Sequence, residues 1–210
     1  MNNLLPHEKV LWQSMGHRNT HAVANYSLFT NFFFSFMKKT TLILVRHGET
    51  VENTKRILQG HMPGTLNELG KEQAIKAADV LSSVAFDVCL CSDLQRCKDT
   101  AEIIFDRLKV SNPNILYTKL LRERDWGSLT GVSVLNYPNP EMPDDAESMP
   151  ALKARVRIFL DFVKNTYPGQ RVLCISHGFV LRILQAVNAD VDFHEIQMMQ
   201  NAEVREVEVN

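Results

Sequence analysis

Short apolar runs alternate with amphipathic helical stretches, and that alternation constrains the fold more than any other feature. TLILV (41–45) is a continuous apolar run, as expected for a strand covered on both faces. FDVCLCS (86–92) and RVLCIS (171–176) read as further strands, NILYTK (114–119) as a short third strand and AEVREVEV (202–209) as the last. The final run changes phase at Arg205-Glu206, which predicts a bulge there. Between the runs lie helical patterns. Residues 67–83 carry Ala74, Ala77, Ala78 and Leu81 as a stripe, with Asn67 as N-cap. Residues 94–109 place Leu94, Cys97, Ala101, Ile104 and Leu108 on one face, and 151–167 do so with Leu152, Val156, Phe159, Leu160 and Val163. A last helix covers 179–188, with Asn188 expected at its end. Residues 122–150, with Gly127, Gly131 and four prolines from 138 onward, read as loop. Strands separated by helices predict an α/β fold, a mainly parallel sheet with helices on both faces.

In such folds ligands gather beyond the carboxyl ends of the strands. The first strand ends in Arg46-His47-Gly48, the second in Ser92-Asp93 with Arg96 in the next helical turn, and the strand at 171–176 in Ser176-His177-Gly178. Apolar strands thus deliver two imidazoles and two guanidiniums to one crest. Two arginines can fork onto phosphate oxygens, and helix starts after Ser92 and Gly178 would add backbone donors. Gly48 and Gly178 allow close approach of the main chain. A neutral histidine there could attack phosphorus. Glu123, in LLRERDWGSLTG, is a carboxyl able to protonate a leaving alkoxide if partial burial raises its proton affinity. Taken singly, each residue has a plainer reading. A lone histidine after a strand is usually a structural hydrogen-bonder, Arg96 a surface cation, and Glu123 part of a solvated charge cluster. Two strand-terminal His-Gly pairs with a helix-start arginine are not expected by accident.

RHGET with Asn53, SDLQRCKDTAEII, RERDWGSLTG and SHG resemble the histidine phosphatase superfamily, the phosphoglycerate mutase-like family, in order from about Thr41 to Asn201. The resemblance implies a three-layer α/β/α sandwich and needs neither metal nor cofactor. It implies His47 as phosphorylated nucleophile and Glu123 as proton donor. Arg46, Arg96 and His177 would bind the phosphoryl group, with Asn53 and Gly178 beside it. Ala146-Glu147-Ser148 stands where the family often has Gly-Glu-Ser. The stretch from Gly131 to Glu147 is too short for the insertion with which mutases cover their substrate, so a phosphomonoesterase is expected. Phosphoglycerate mutase-type transfer is the runner-up. A non-catalytic phosphate-binding module would bind without turnover, and a metallohydrolase lacks HExxH-type spacing.

The remaining features set the context. A net charge of -1 favours neither nucleic acid nor an anionic membrane. The expected partner is a small-molecule phosphate ester, acted on by a monomer or homodimer. Cys89, Cys91, Cys97 and Cys174 form no CxxC pair and are expected as reduced core thiols in a cytoplasmic protein. Residues 1–36 carry few charges, and SLFTNFFFSF (27–36) is too short to span a bilayer. Met37 followed by two lysines looks like a natural start, so 1–36 is expected to be a poorly ordered extension before a 37–210 domain. His61 is a candidate for the pocket mouth. Trp126 is expected to pack in the core, with substrate contact as the lesser reading, and His7, His17, His21 and His194 are expected at the surface.

Overall fold

A computed structural model describes residues 39–136 and 141–210. The expected extension (1–36), with His7, His17 and His21, and two loop prolines (138 and 140) lie outside the described residues. The elements in chain order are β1 (Thr41–Arg46), α1 (Val51–Thr54), α2 (Glu68–Leu81), β2 (Val88–Ser92), α3 (Gln95–Arg107), β3 (Ile115–Thr118), α4 (Met149–Thr166), β4 (Arg171–Ser176), α5 (Gly178–Ala189) and β5 (Val204–Glu208), with single 3-10 turns at Lys119–Leu121, Gly127–Leu129 and Phe193–Glu195.

The sheet order is β3-β2-β4-β1-β5. The pairs β3–β2, β2–β4 and β4–β1 are parallel, and β5 runs antiparallel to β1 along the edge. Alternation along β1 divides the core. Leu42 and Leu44 face α4 and α5 through Leu152, Val156, Phe159, Val180 and Leu184. Ile43 and Val45 face α2 and α3 through Ala78, Leu81, Ala101 and Ile104. The result is the expected three-layer sandwich, with β1 and β4 side by side at its centre. Their paired ends, Arg46 opposite Ser176, bring the two His-Gly tips together.

Three local expectations are corrected. β5 pairs with β1 without interruption from Val204 to Glu208, so there is no bulge. The phase change arises because Val204 packs on one core layer and Val207 on the other. The helix assigned to 151–167 begins at Met149, with Ser148 capping it and Pro150 inside its first turn, where proline's missing N–H costs nothing. Asn188 does not end α5. Its side chain donates to the Glu208 carbonyl, and the chain leaves the helix at Asp190, which has φ 53°. Asn67 caps α2 as expected, accepting from the Gly70 N–H.

Candidate active site

His47 sits at the end of β1 and is 3% exposed. Its Nδ1 lies 2.7 Å from the Gly48 carbonyl, so Nδ1 carries the hydrogen. Its Nε2 accepts from Arg96 Nε at 3.3 Å. Contacts at both ends therefore specify one neutral tautomer, with the lone pair on Nε2. The backbone that carries the ring is fixed from outside: Asn201 Nδ2 donates to the His47 carbonyl at 3.0 Å, and the Ala202 N–H reaches both the Arg46 and His47 carbonyls. A Cβ on Gly48 would collide with the Gly70 carbonyl oxygen, so the tip is pressed onto α2 by two glycines.

The two guanidiniums come from different layers. Arg46 Nη1 donates to the Met199 carbonyl at 2.7 Å, while its buried Nε has no partner among the described residues. A Cβ on Gly178 would lie 3.1 Å from that Nε, which explains the second His-Gly pair. Arg96, 1% exposed, is held by the carbonyls of Gly60 (3.0 Å) and Met62 (2.6 Å) in the loop before α2. His177 is fully buried, its ring centroid 5.2 Å from that of His47. Its Nε2 lies 2.8 Å from Ser92 Oγ and 3.4 Å from Cys97 Sγ.

A cavity of about 230 Å³ opens above His47, with Arg46, Asn53, Arg96, Glu123 and Gly178 also on its walls. Six of the seven anticipated residues thus line one hollow. His177 does not line it and stands behind His47. The expected donors at the helix starts are already engaged. The Phe179 and Val180 N–H groups donate to the Glu123 carboxylate at 3.3 Å each, and the Arg96 N–H donates to the Pro63 carbonyl. Glu123 also accepts from the Arg124 N–H at 2.9 Å, so its carboxyl is positioned by backbone from two elements. Asn53 closes a capping box with Thr50, which aims it at the cavity from α1.

Trp126 lines the cavity instead of packing in the core, with Arg124 stacked 4.8 Å from its ring. His61 is not on these walls. Its Nε2 approaches the Glu123 carbonyl at 3.0 Å, in a neighbouring depression shared with Arg122 and Arg155. Gln59, Phe179 and Met198 line the cavity without a signal in the sequence that distinguishes them from packing residues, although Phe179 directly follows the His-Gly pair. His194 is exposed, as expected.

Burial, then the charges of Arg96 and Arg46, hold His47 well below the usual imidazole range. Burial, then Arg96 and His47, do the same for His177. The folded chain therefore binds fewer protons than the unfolded chain below about pH 6.5. Stability is full above that pH and falls as the pH drops, by up to about 1.4 kcal/mol per pH unit for each ring. Denaturant titrations between pH 7.5 and 5 should record this loss, and His177→Gln should flatten it. An unchanged slope in His177→Gln would mean that the ring does not stay neutral.

A comparison with known families matches residues 42–210 to the histidine phosphatase superfamily (branch 1). The chain belongs to that superfamily. A probable phosphatase of Schizosaccharomyces pombe is 35% identical over 150 residues, 69% of this chain and 71% of that one. A 2,3-bisphosphoglycerate-dependent phosphoglycerate mutase of Bartonella bacilliformis is 29% identical over 182 residues, 78% of this chain and 88% of that one. Among solved structures, a mycobacterial glucosyl-3-phosphoglycerate phosphatase complexed with VO3 superposes with a TM-score of 0.70 at 25% identity, covering 79% of this chain and 91% of that one. The mainly parallel sandwich of this histidine phosphatase is therefore shared with a phosphatase of known structure, while its sequence is similar to phosphatases and mutases alike. The four cysteines of this superfamily member are free and buried, and burial pushes the Cys89 and Cys97 thiols up to about 12. No helix among the described residues is long and apolar enough to cross a membrane.

Proposed function

We propose that this chain is a metal-independent phosphomonoesterase that hydrolyses a small-molecule phosphate ester through a phosphohistidine on His47. The observation that carries the reading is a neutral imidazole, its unprotonated Nε2 held by Arg96, that lines one cavity with Arg46 and Arg96. In the first step Nε2 attacks phosphorus, the N–P bond forms and the bond to the ester oxygen breaks. Glu123 gives that oxygen a proton, and the alcohol leaves. In the second step Glu123 takes a proton from water, the new P–O bond forms, the N–P bond breaks and phosphate departs. Arg46 and Arg96 balance charge on the phosphoryl oxygens, the task a metal ion performs in other phosphatases. His177 backs His47 edge-on, with Ser92 Oγ 2.8 Å from its own Nε2. Reduced, buried cysteines support a cytoplasmic setting, in which the enzyme works as a monomer or homodimer.

Mixing the full chain with a ³²P-labelled monoester and quenching in alkaline denaturant, where a phosphoramidate survives, should leave label on the peptide containing His47. Turnover should persist in excess chelator. Label elsewhere, or activity that chelator removes and a divalent ion restores, would overturn the mechanism.

A further inference from the structure

The hollow over His47 has two unlike halves. Its floor is made by Arg46, His47 and Arg96, with Glu123 at one side. Its remaining wall is mainly apolar: Ile57, Leu58, Trp126, Phe179 and Met198. Trp126 and Phe179 stand with ring centroids 5.7 Å apart, inclined by 49°. Phe193 backs Phe179 at 6.0 Å. Arg124, 6% exposed, has its guanidinium carbon 4.8 Å from the Trp126 ring and 5.8 Å from the Phe179 ring, and its Nε donates to the Glu147 carbonyl at 2.8 Å. Arg124 braces the two rings without itself reaching the cavity wall. The aromatic wall is thus fixed in place before any ligand arrives.

The charge inventory is as informative as the apolar wall. Among the described residues, the cations lining the cavity are Arg46 and Arg96, both at the floor, and the carboxylate is Glu123. The single phosphoryl group uses both arginines. A second phosphate or a carboxylate on the substrate would have no further cation to pair with among the described residues that line this cavity. Away from Asn53 and Gln59 it would lie against rings and aliphatic side chains, with Glu123 repelling it. Placing an unpaired anion there is strongly disfavoured, whereas a flat apolar group gains from the same surface. The volume, about 230 Å³, is below the ~300–1,000 Å³ typical of sites for drug-sized ligands.

We infer that the leaving group is small, flat and apolar: the substrate is the monophosphate of an aryl-bearing or similarly unsaturated alcohol with no second anionic group, and Trp126 with Phe179 selects it. This rests on the phosphomonoesterase reading above. It also separates the chain from phosphoglycerate mutases, whose named substrates carry a carboxylate beside the phosphate.

Three primary alkyl esters with leaving groups of similar acidity test the inference on the full chain: 2-naphthylmethyl phosphate, ethyl phosphate and 3-phosphopropionate. The naphthylmethyl ester should exceed ethyl phosphate in kcat/KM by about 10-fold or more, the range that apolar complementarity supplies in a pocket. The carboxylate ester should fall below ethyl phosphate. Trp126→Ala and Phe179→Ala should each shrink the naphthylmethyl-to-ethyl ratio several-fold, and Phe179→Arg should raise the ratio of 3-phosphopropionate to ethyl phosphate. Calorimetry with the uncleavable naphthylmethylphosphonate and 2-carboxyethylphosphonate reads the same wall without chemistry. Turnover with a preference for 3-phosphopropionate, or ratios that ignore Trp126 and Phe179, would overturn the inference and leave the phosphatase reading standing. Selective binding of the naphthyl phosphonate with no ester turned over would support the wall and overturn the reaction.

Discussion

His47→Gln should abolish turnover and leave the fold intact. The imidazole is the one group on the cavity floor that presents an unprotonated ring nitrogen, because Nδ1–H is committed to the Gly48 carbonyl and Nε2 accepts from Arg96 instead of carrying a hydrogen. Glutamine has similar reach and can still donate to that carbonyl, so the tip of β1 keeps its anchor. Its amide cannot form the covalent intermediate. Removal of a covalent nucleophile costs about 10⁴- to 10⁶-fold in kcat. The arginines remain, so orthovanadate should still bind, and binding separates loss of chemistry from loss of the site. Steady-state assays against the naphthylmethyl ester give the number. A variant retaining more than about 1% of turnover would remove His47 from the reaction. Because His47 is one of the two rings kept neutral by burial, His47→Gln should also lose less stability than the parent when the pH is lowered from 7.5 to 5.

The parts of this site that the sequence makes legible share one physical origin. An apolar run has a definite end, and a polar residue at that end must lie on the crest of the sheet. Arg46, His47 and His177 are found this way, and Arg96 follows because it falls in the first turn after a strand. The same reasoning gives direction along a strand but not depth. His177 shares the crest and is nonetheless sealed behind His47, because Ser92 and Cys97 from neighbouring elements close over its ring. The first-turn N–H groups of α5 look free in sequence. They are occupied because the 122–126 loop crosses the helix start and brings Glu123 to them. The apolar wall has no sequence signature at all. Residues 57, 58, 126, 179 and 198 belong to separate loops and one helix start, and no period relates them. The bulge expected in β5 failed for a similar reason: an edge strand that packs on both core layers violates the alternation expected of one that packs on a single layer. Mechanism is therefore local in this chain and readable, whereas selectivity is assembled from distant segments and requires the fold.

Arg96 provides the sharpest test of how fold and chemistry share one residue. Its side chain reaches the cavity floor through the core, and its four neighbours there are all acceptors: the carbonyls of Gly60, Met62 and Pro63 and the Nε2 of His47. Arg96→Met keeps the apolar stem and deletes every donor. The loss of a charge-stabilising donor pair should lower kcat/KM by at least about 10²–10³-fold. The stranded carbonyls of Gly60 and Met62 should cost about 1–3 kcal/mol each unless the 60–63 loop opens to water. Arg96→Lys restores the charge without the fork, so it should recover part of the stability and little of the rate. A third readout follows from electrostatics. After burial, Arg96 is the largest influence holding both His47 and His177 in their neutral form. In Arg96→Met both rings should therefore accept protons at a higher pH than in the parent, so the acid-side loss of stability should be shallower while the residual activity disappears sooner on acidification. Denaturation and pH–rate profiles measured on the same preparation resolve the three effects. If Arg96→Met keeps its melting temperature, its rate and its acid limb, the guanidinium neither holds the loop nor faces the phosphoryl group.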